Sequence, residues 1–256
     1  MTLERAVGGL RATGDPKDAK SADKIAAILK ARGGRDIPLP EDATALPTRK
    51  DFIGQELLDP ETTTSTFQDI WSARQEILRK AGVNLEFSIP QCPYTQEELL
   101  KLEAEGRRVG YLPKELSTQK SRHLMAIIWP SMQSHSIQEE NTITNEGKPS
   151  GWFDYESATE APYTETNEYQ LKDEFKRQGR KGLNLNQYIV AGQDSKLFTG
   201  EYLDHSTWVR LLGSRDGGSV VYAFFPAGGL LNVYWNMNPR DHHFSFGGRS
   251  SGVPKA

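Results

Sequence analysis

Residues 213–253 read GSRDGGSVVYAFFPAGGLLNVYWNMNPRDHHFSFGGRSSGV, and two apolar runs inside them, 220–225 and 230–237, carry the period of two that marks β-strands. In the second run, parity puts Leu231, Val233 and Trp235 on one face and Asn232, Tyr234 and Asn236 on the other. In the first, Val221, Ala223 and Phe225 oppose Val220, Tyr222 and Phe224, so pairing the strands sets Tyr222 beside the Asn-Tyr-Asn row. One face is expected to build core and the other to face outward. The following loop, Asn238 to Phe246, continues the same chemistry into a third short strand near 244–247. Tyrosine supplies rigid contact area and asparagine adaptable hydrogen bonds. Tyr222, Asn232, Tyr234, Asn236, Asn238, Asp241, His242, His243, Ser245 and Phe246 are therefore expected to form a ligand-binding surface.

Working back from this tail, the texture becomes helical. Residues 164–179, with Leu171 and Phe175 four apart and Gly179 as terminator, predict a helix, and a second is expected over 185–198. Residues 134–155 read as a hairpin with a long loop ending at Trp152, Phe153 and Tyr155. The apolar stretch 124–129 fits either a buried strand or a helical turn. Thr95-Gln96-Glu97-Glu98 is a capping box opening a helix to Gly106, and Val83, Leu85, Phe87 and Ile89 alternate as a strand. Phe67, Ile70, Trp71, Ile77 and Leu78 recur at helical spacing before Gly82. Residues 1–62 are polar and rich in Gly, Pro, Asp and Lys, with one short helix expected over 21–32, and read as a flexible arm or linker. The divisions are thus 1–62, a small helix-strand-helix region over 63–119, and a ligand-binding domain over 120–256.

Charge and composition narrow the function. Thirty-one basic against 34 acidic residues give a net charge of -3, which argues against a nucleic-acid or anionic-lipid partner. The greasiest run, 124–129, falls far short of the roughly 18 apolar residues of a membrane span. Residues 1–24 mix both charges and lack the apolar core of a secretory signal, so a cytoplasmic location is expected. The single cysteine, Cys92, excludes a disulfide framework within the chain and reads as a packed side chain.

Catalytic motifs are weak. Asp241, His242 and His243, with His205, offer imidazole and carboxylate ligands for a metal-assisted hydrolase, but adjacent residues on a strand point to opposite faces. Asp204, His205 and a serine form a triad only on paper, since no GxSxG elbow accompanies them. Gly217-Gly218, Gly228-Gly229 and Gly247-Gly248 sit between strand candidates and read as turns rather than phosphate loops. The basic run Lys176, Arg177, Arg180, Lys181 suits a helix C-terminus. An assembly component with a docking arm is a further alternative.

The pattern GS, GGSVVYAFF, LNVYWN and GGRSSGV resembles the C-terminal region of C-type-lectin-like variable proteins of diversity-generating retroelements. It is also similar, over 95–256, to a candidate-phylum bacterial family with WxRLLGSR and GxRSxGV patterns. The first resemblance implies an α+β fold whose C-terminal C-type-lectin-like domain has short antiparallel strands and two helices. It also implies that adenine-directed mutagenesis varies exposed positions while the core stays fixed. Asn236, Asn238, Asp241, His242, His243, Phe244, Ser245 and Phe246 all belong to the set reachable from adenine-rich codons, whereas Trp208, Gly213, Gly217, Gly218 and Arg249 would be scaffold. The partner so implied is a macromolecule, a protein. The calcium-binding Glu-Pro-Asn cluster of some lectins is missing from the sequence, and no cofactor is expected.

Overall fold

Asp59 opens the first helix of the computed structural model, which describes residues 52–132, 141–146, 150–226, 228–235 and 237–252. Its carboxylate accepts from the Thr62 N–H at 2.8 Å, and α1 (Pro60–Lys80) then buries Phe67, Ile70, Trp71 and Leu78 along the stripe that the sequence spacing predicts. The following residues alternate as expected, with Val83, Leu85, Phe87 and Ile89 turned toward the core, yet they form no strand. Side chains take the place of a ladder. The Phe87 N–H donates to Gln75 Oε1 and the Cys92 N–H to Thr64 Oγ1, while the Ser88 and Pro90 carbonyls accept from Tyr111 and Trp152.

The Thr95–Glu98 capping box forms and opens α2 (Gln96–Ala104), which leads into β1 (Arg107–Leu112). The ambiguous stretch after Ser121 is helical, as α3 (Arg122–Ile128). β2 (Thr144–Asn145) and β3 (Gly151–Glu156) correct the expected hairpin: β3 lies antiparallel to β1, from Arg107 opposite Glu156 to Leu112 opposite Gly151. α4 (Glu168–Arg177) and α5 (Leu185–Thr199) flank β4 (Lys181–Gly182), and Asn-Gln capping boxes open both helices. The described residues of 120–256 thus hold three α-helices rather than two.

The tail supplies β5 (Trp208–Asp216), β6 (Ser219–Phe224), β7 (Asn232–Tyr234), β8 (Phe246–Gly248) and β9 (Ser250–Ser251). The sheet runs β2-β5-β6-β7, with β8 parallel to β5 on the edge that β2 also uses, and β9 pairs β4. Gly217-Gly218 makes the two-residue turn of the β5–β6 hairpin with both φ positive, as a primed turn demands. Gly247-Gly248 is not a turn. It lies within β8, where a Cβ would fall 2.5 Å from the Pro162 carbonyl and 2.4 Å from Leu171.

The described residues are mixed α+β and belong to one unit. The division expected at 119/120 falls inside a shared core that joins Phe67, Trp71 and Tyr111 to Trp152, Tyr188 and Phe225. Phe52 and Leu57 belong to it, so residues 52–62 are not arm; the helix expected over 21–32 lies outside the described residues. No helix among the described residues is long and apolar enough to cross a membrane.

Charges close the core. Arg249 is fully buried: it holds both oxygens of Asp204, at 2.9 and 2.7 Å, and donates to the carbonyls of Glu156, Ala158 and Thr159. Burial pushes the Asp204 carboxyl up, against the pull of Arg249. Beside it, Arg107 bridges Asp154 and Glu156 and donates to the Ser250 carbonyl, while Arg180 also reaches Asp154. Arg249→Met leaves Asp204 buried and unpaired, so urea unfolding should show a loss of about 3–5 kcal/mol.

Candidate binding surface

The two faces of the β5–β6–β7 sheet follow the predicted parity. Val209, Leu211, Val221, Ala223, Leu231, Val233 and Trp235 pack toward the main core. The opposite face carries Trp208, Arg210 and Leu212 from β5, Val220, Tyr222 and Phe224 from β6, and Asn232 and Tyr234 from β7. Tyr222 stands opposite Tyr234 and Phe224 opposite Asn232.

This second face is covered at one end and open at the other. Leu171 and Phe175 of α4 cover Leu212, Val220 and Tyr222. Past that cover lie Trp208, Phe224 and Tyr234. The Trp208 ring sits 4.0 Å from that of Phe224 and 4.9 Å, edge to face, from that of Tyr234, which is 53% exposed. Phe246 lies beside Trp208 in the parallel β5–β8 pair and contacts the His243 ring, which in turn packs on Phe244, 70% exposed.

Arg210 organises the loop that brings these groups together. Its buried guanidinium donates to Tyr222 Oη at 3.0 Å, to the Asp241 carbonyl at 2.6 Å and to the Thr166 carbonyl, and lies against the Tyr222 and Phe246 rings. The Glu165 and Glu168 N–H groups donate to the His243 and Pro239 carbonyls, tying the loop to the start of α4. Within it, the Ser245 N–H donates to His243 Nδ1, whose Ser245 Oγ contact is 2.7 Å. Short-range bonds and one arginine hold this irregular backbone in place of a ladder.

Of the residues singled out in the sequence, Tyr234, Asn238, Asp241, His242 and His243 are exposed, and Asn232, Ser245 and Phe246 are half-buried. Asn236 lies outside the described residues. Tyr222 is the correction: it shares the face, but at 1% exposure it sits beneath α4 with its hydroxyl bound to Arg210. Phe224 and Phe244 were not among the predicted contacts, and Trp208, expected as scaffold, lies in the aromatic cluster. Parity already put Phe224 on the Tyr222 face.

Among the described residues, no three His, Cys, Asp or Glu side chains converge as a metal site. Arg249 occupies both Asp204 oxygens, so the paper triad lacks a free carboxylate. A scan against protein-family models finds no match, and searches of curated proteins and of solved structures find none either. The burial contrast gives a stability test: Tyr222→Ala should cost about 3–5 kcal/mol in chemical denaturation. Tyr234→Ala, on the open end, should cost well under half as much.

Proposed function

We propose that this chain is a ligand-binding protein that recognises a protein partner through the open end of its sheet and the 237–246 loop. The carrying observation is two neighbouring ring groups mounted on buried structure: exposed Tyr234 on half-buried Trp208 and Phe224, and exposed His243 and Phe244 on half-buried Phe246, which lies beside Trp208 in the β5–β8 pair. Aromatic side chains dominate interface energetics, because they offer large apolar area with few torsions to freeze. Asn232, Asn238, Asp241 and His242, neighbours of those rings in the chain, add exposed or half-buried donors and acceptors, as the polar part of an interface requires. Backbone bonds and Arg210 fix the loop before any partner arrives, which lowers the ordering cost of association.

The finer reading is a C-type-lectin-like domain of the kind found in retroelement variable proteins. Its support is the separation of roles along the tail: Leu231, Gly247, Gly248 and Arg249 are buried, while Tyr234, Asn238 and 241–244 are exposed. Such a surface tolerates substitution at side chains that hold nothing else in place, such as His242 and Phe244, and less so at His243, which accepts the Ser245 N–H.

Placing a photo-crosslinking phenylalanine analogue at Tyr234 or Phe244 in cells should trap one discrete protein adduct, absent when the analogue replaces the exposed Leu100 of α2. No adduct at either position, or the same adducts at Leu100, would sink the proposal. The retroelement reading is checked at the locus. Sequencing the tail across a population should show changes confined to outward positions, with an adenine-substituted repeat nearby; an invariant tail without a repeat overturns it.

A further inference from the structure

The same sheet face ends in a second feature at the far side of α4. Between α4, β4 and the start of α5 lies a cleft of about 620 Å³, floored by Phe175 and Leu212 and walled by Lys172, Lys176, Arg180 and Lys181. It is separate from the aromatic surface, since Trp208 and Leu212 stand about 13 Å apart along β5.

Its charges do not balance. Lys172 is engaged by Glu168 at 2.9 Å and Arg180 by Asp154, and the one carboxylate in the wall, Glu146, is held by Arg215 at 2.9 Å. Lys176 and Lys181 have no carboxylate partner among the described residues. The dipole of α4 accounts for Lys176, which lies in its last turn. It does not account for Lys181, which has passed into β4 and still lines the same space. The cap Asn184 and Gln187 of α5 line the space too, but their capping box and the bond from the Leu185 N–H to Ser214 Oγ already satisfy that helix start, so the lysines carry the charge.

Two ammonium groups without a carboxylate partner on one concave space leave a local positive potential there that favours an anion. The volume lies in the range of small-molecule sites, about 300–1,000 Å³, and the floor is apolar rather than charged. A net charge of -3 opposes a large polyanion but leaves a local cationic cleft intact. We propose that this cleft binds a small phosphomonoester, its phosphate between Lys176 and Lys181 and its apolar body over Phe175 and Leu212.

Calorimetric titration of the full chain at low salt, with phenyl phosphate and with inorganic phosphate as probes, tests this. Phenyl phosphate should bind saturably and more tightly than inorganic phosphate. The double variant Lys176→Ala/Lys181→Ala should weaken it by at least about tenfold, the loss of one charge-assisted contact, at an unchanged melting temperature. Lys101→Ala/Lys114→Ala, which removes two exposed lysines elsewhere, should leave it unaltered. Absence of saturable binding, equal affinity for the two probes, or equal weakening in both double variants would overturn the proposal.

Discussion

Arg249 is a guanidinium with no access to solvent, and five hydrogen bonds from it reach one carboxylate and three carbonyls on two distant stretches of chain. Taking that charge out of water costs several kcal/mol, and the cost is offset only while each partner stays in place. The requirement fixes geometry more than it adds stability. Residues 156–159 must present their carbonyls together, and Asp204 must adopt a left-handed backbone, φ +58, while its N–H donates to Thr159. Arg249 sits between β8, which pairs with β5, and β9, which pairs with β4.

The same device recurs twice without a carboxylate. Arg122 donates to the side-chain oxygens of Asn141, Asn145 and Asn186 and to the Ile143 carbonyl, and burial pushes it down to about 10. Arg210 serves carbonyls of the α4 approach and of the 237–246 loop. Each guanidinium offers five donors in a planar fork, enough to satisfy carbonyls from segments that share no ladder. Much of the tail is irregular backbone, and these hubs let it be irregular and well positioned at once.

The periodic elements were legible in the sequence: α1 from its apolar stripe, α2 from Thr95 and Glu98, α4 from Leu171 and Phe175, and the two sheet faces from the alternation around Leu231 and Val221. What failed was pairing and cover. Parity states which face Tyr222 occupies but not that α4, some 50 positions earlier, will lie over it. Period two at Val83–Leu85–Phe87–Ile89 reports half-burial, and side-chain bonds can satisfy that backbone as well as a neighbouring strand can. Arg107, Arg122 and Arg210 were invisible as well, because an arginine reads as surface until a pocket of carbonyls is known, and Arg249 stood out as scaffold only through the resemblance.

The bonds that seal the core also run against the direction of synthesis. Arg249 meets Asp204 across 45 positions and Glu156 across 93, Gly252 meets Asp154 across 98, and Arg107 waits for Ser250 across 143. A nascent chain that has exposed β1, β3 and α5 therefore still lacks the cation that Asp204 needs. Native closure is deferred until residue 252 has cleared the ribosome, and such non-local pairing is slow. Until then β5 presents a bare edge where β8 will lie, so the interval between synthesis and sealing is when this protein most needs shielding from its neighbours.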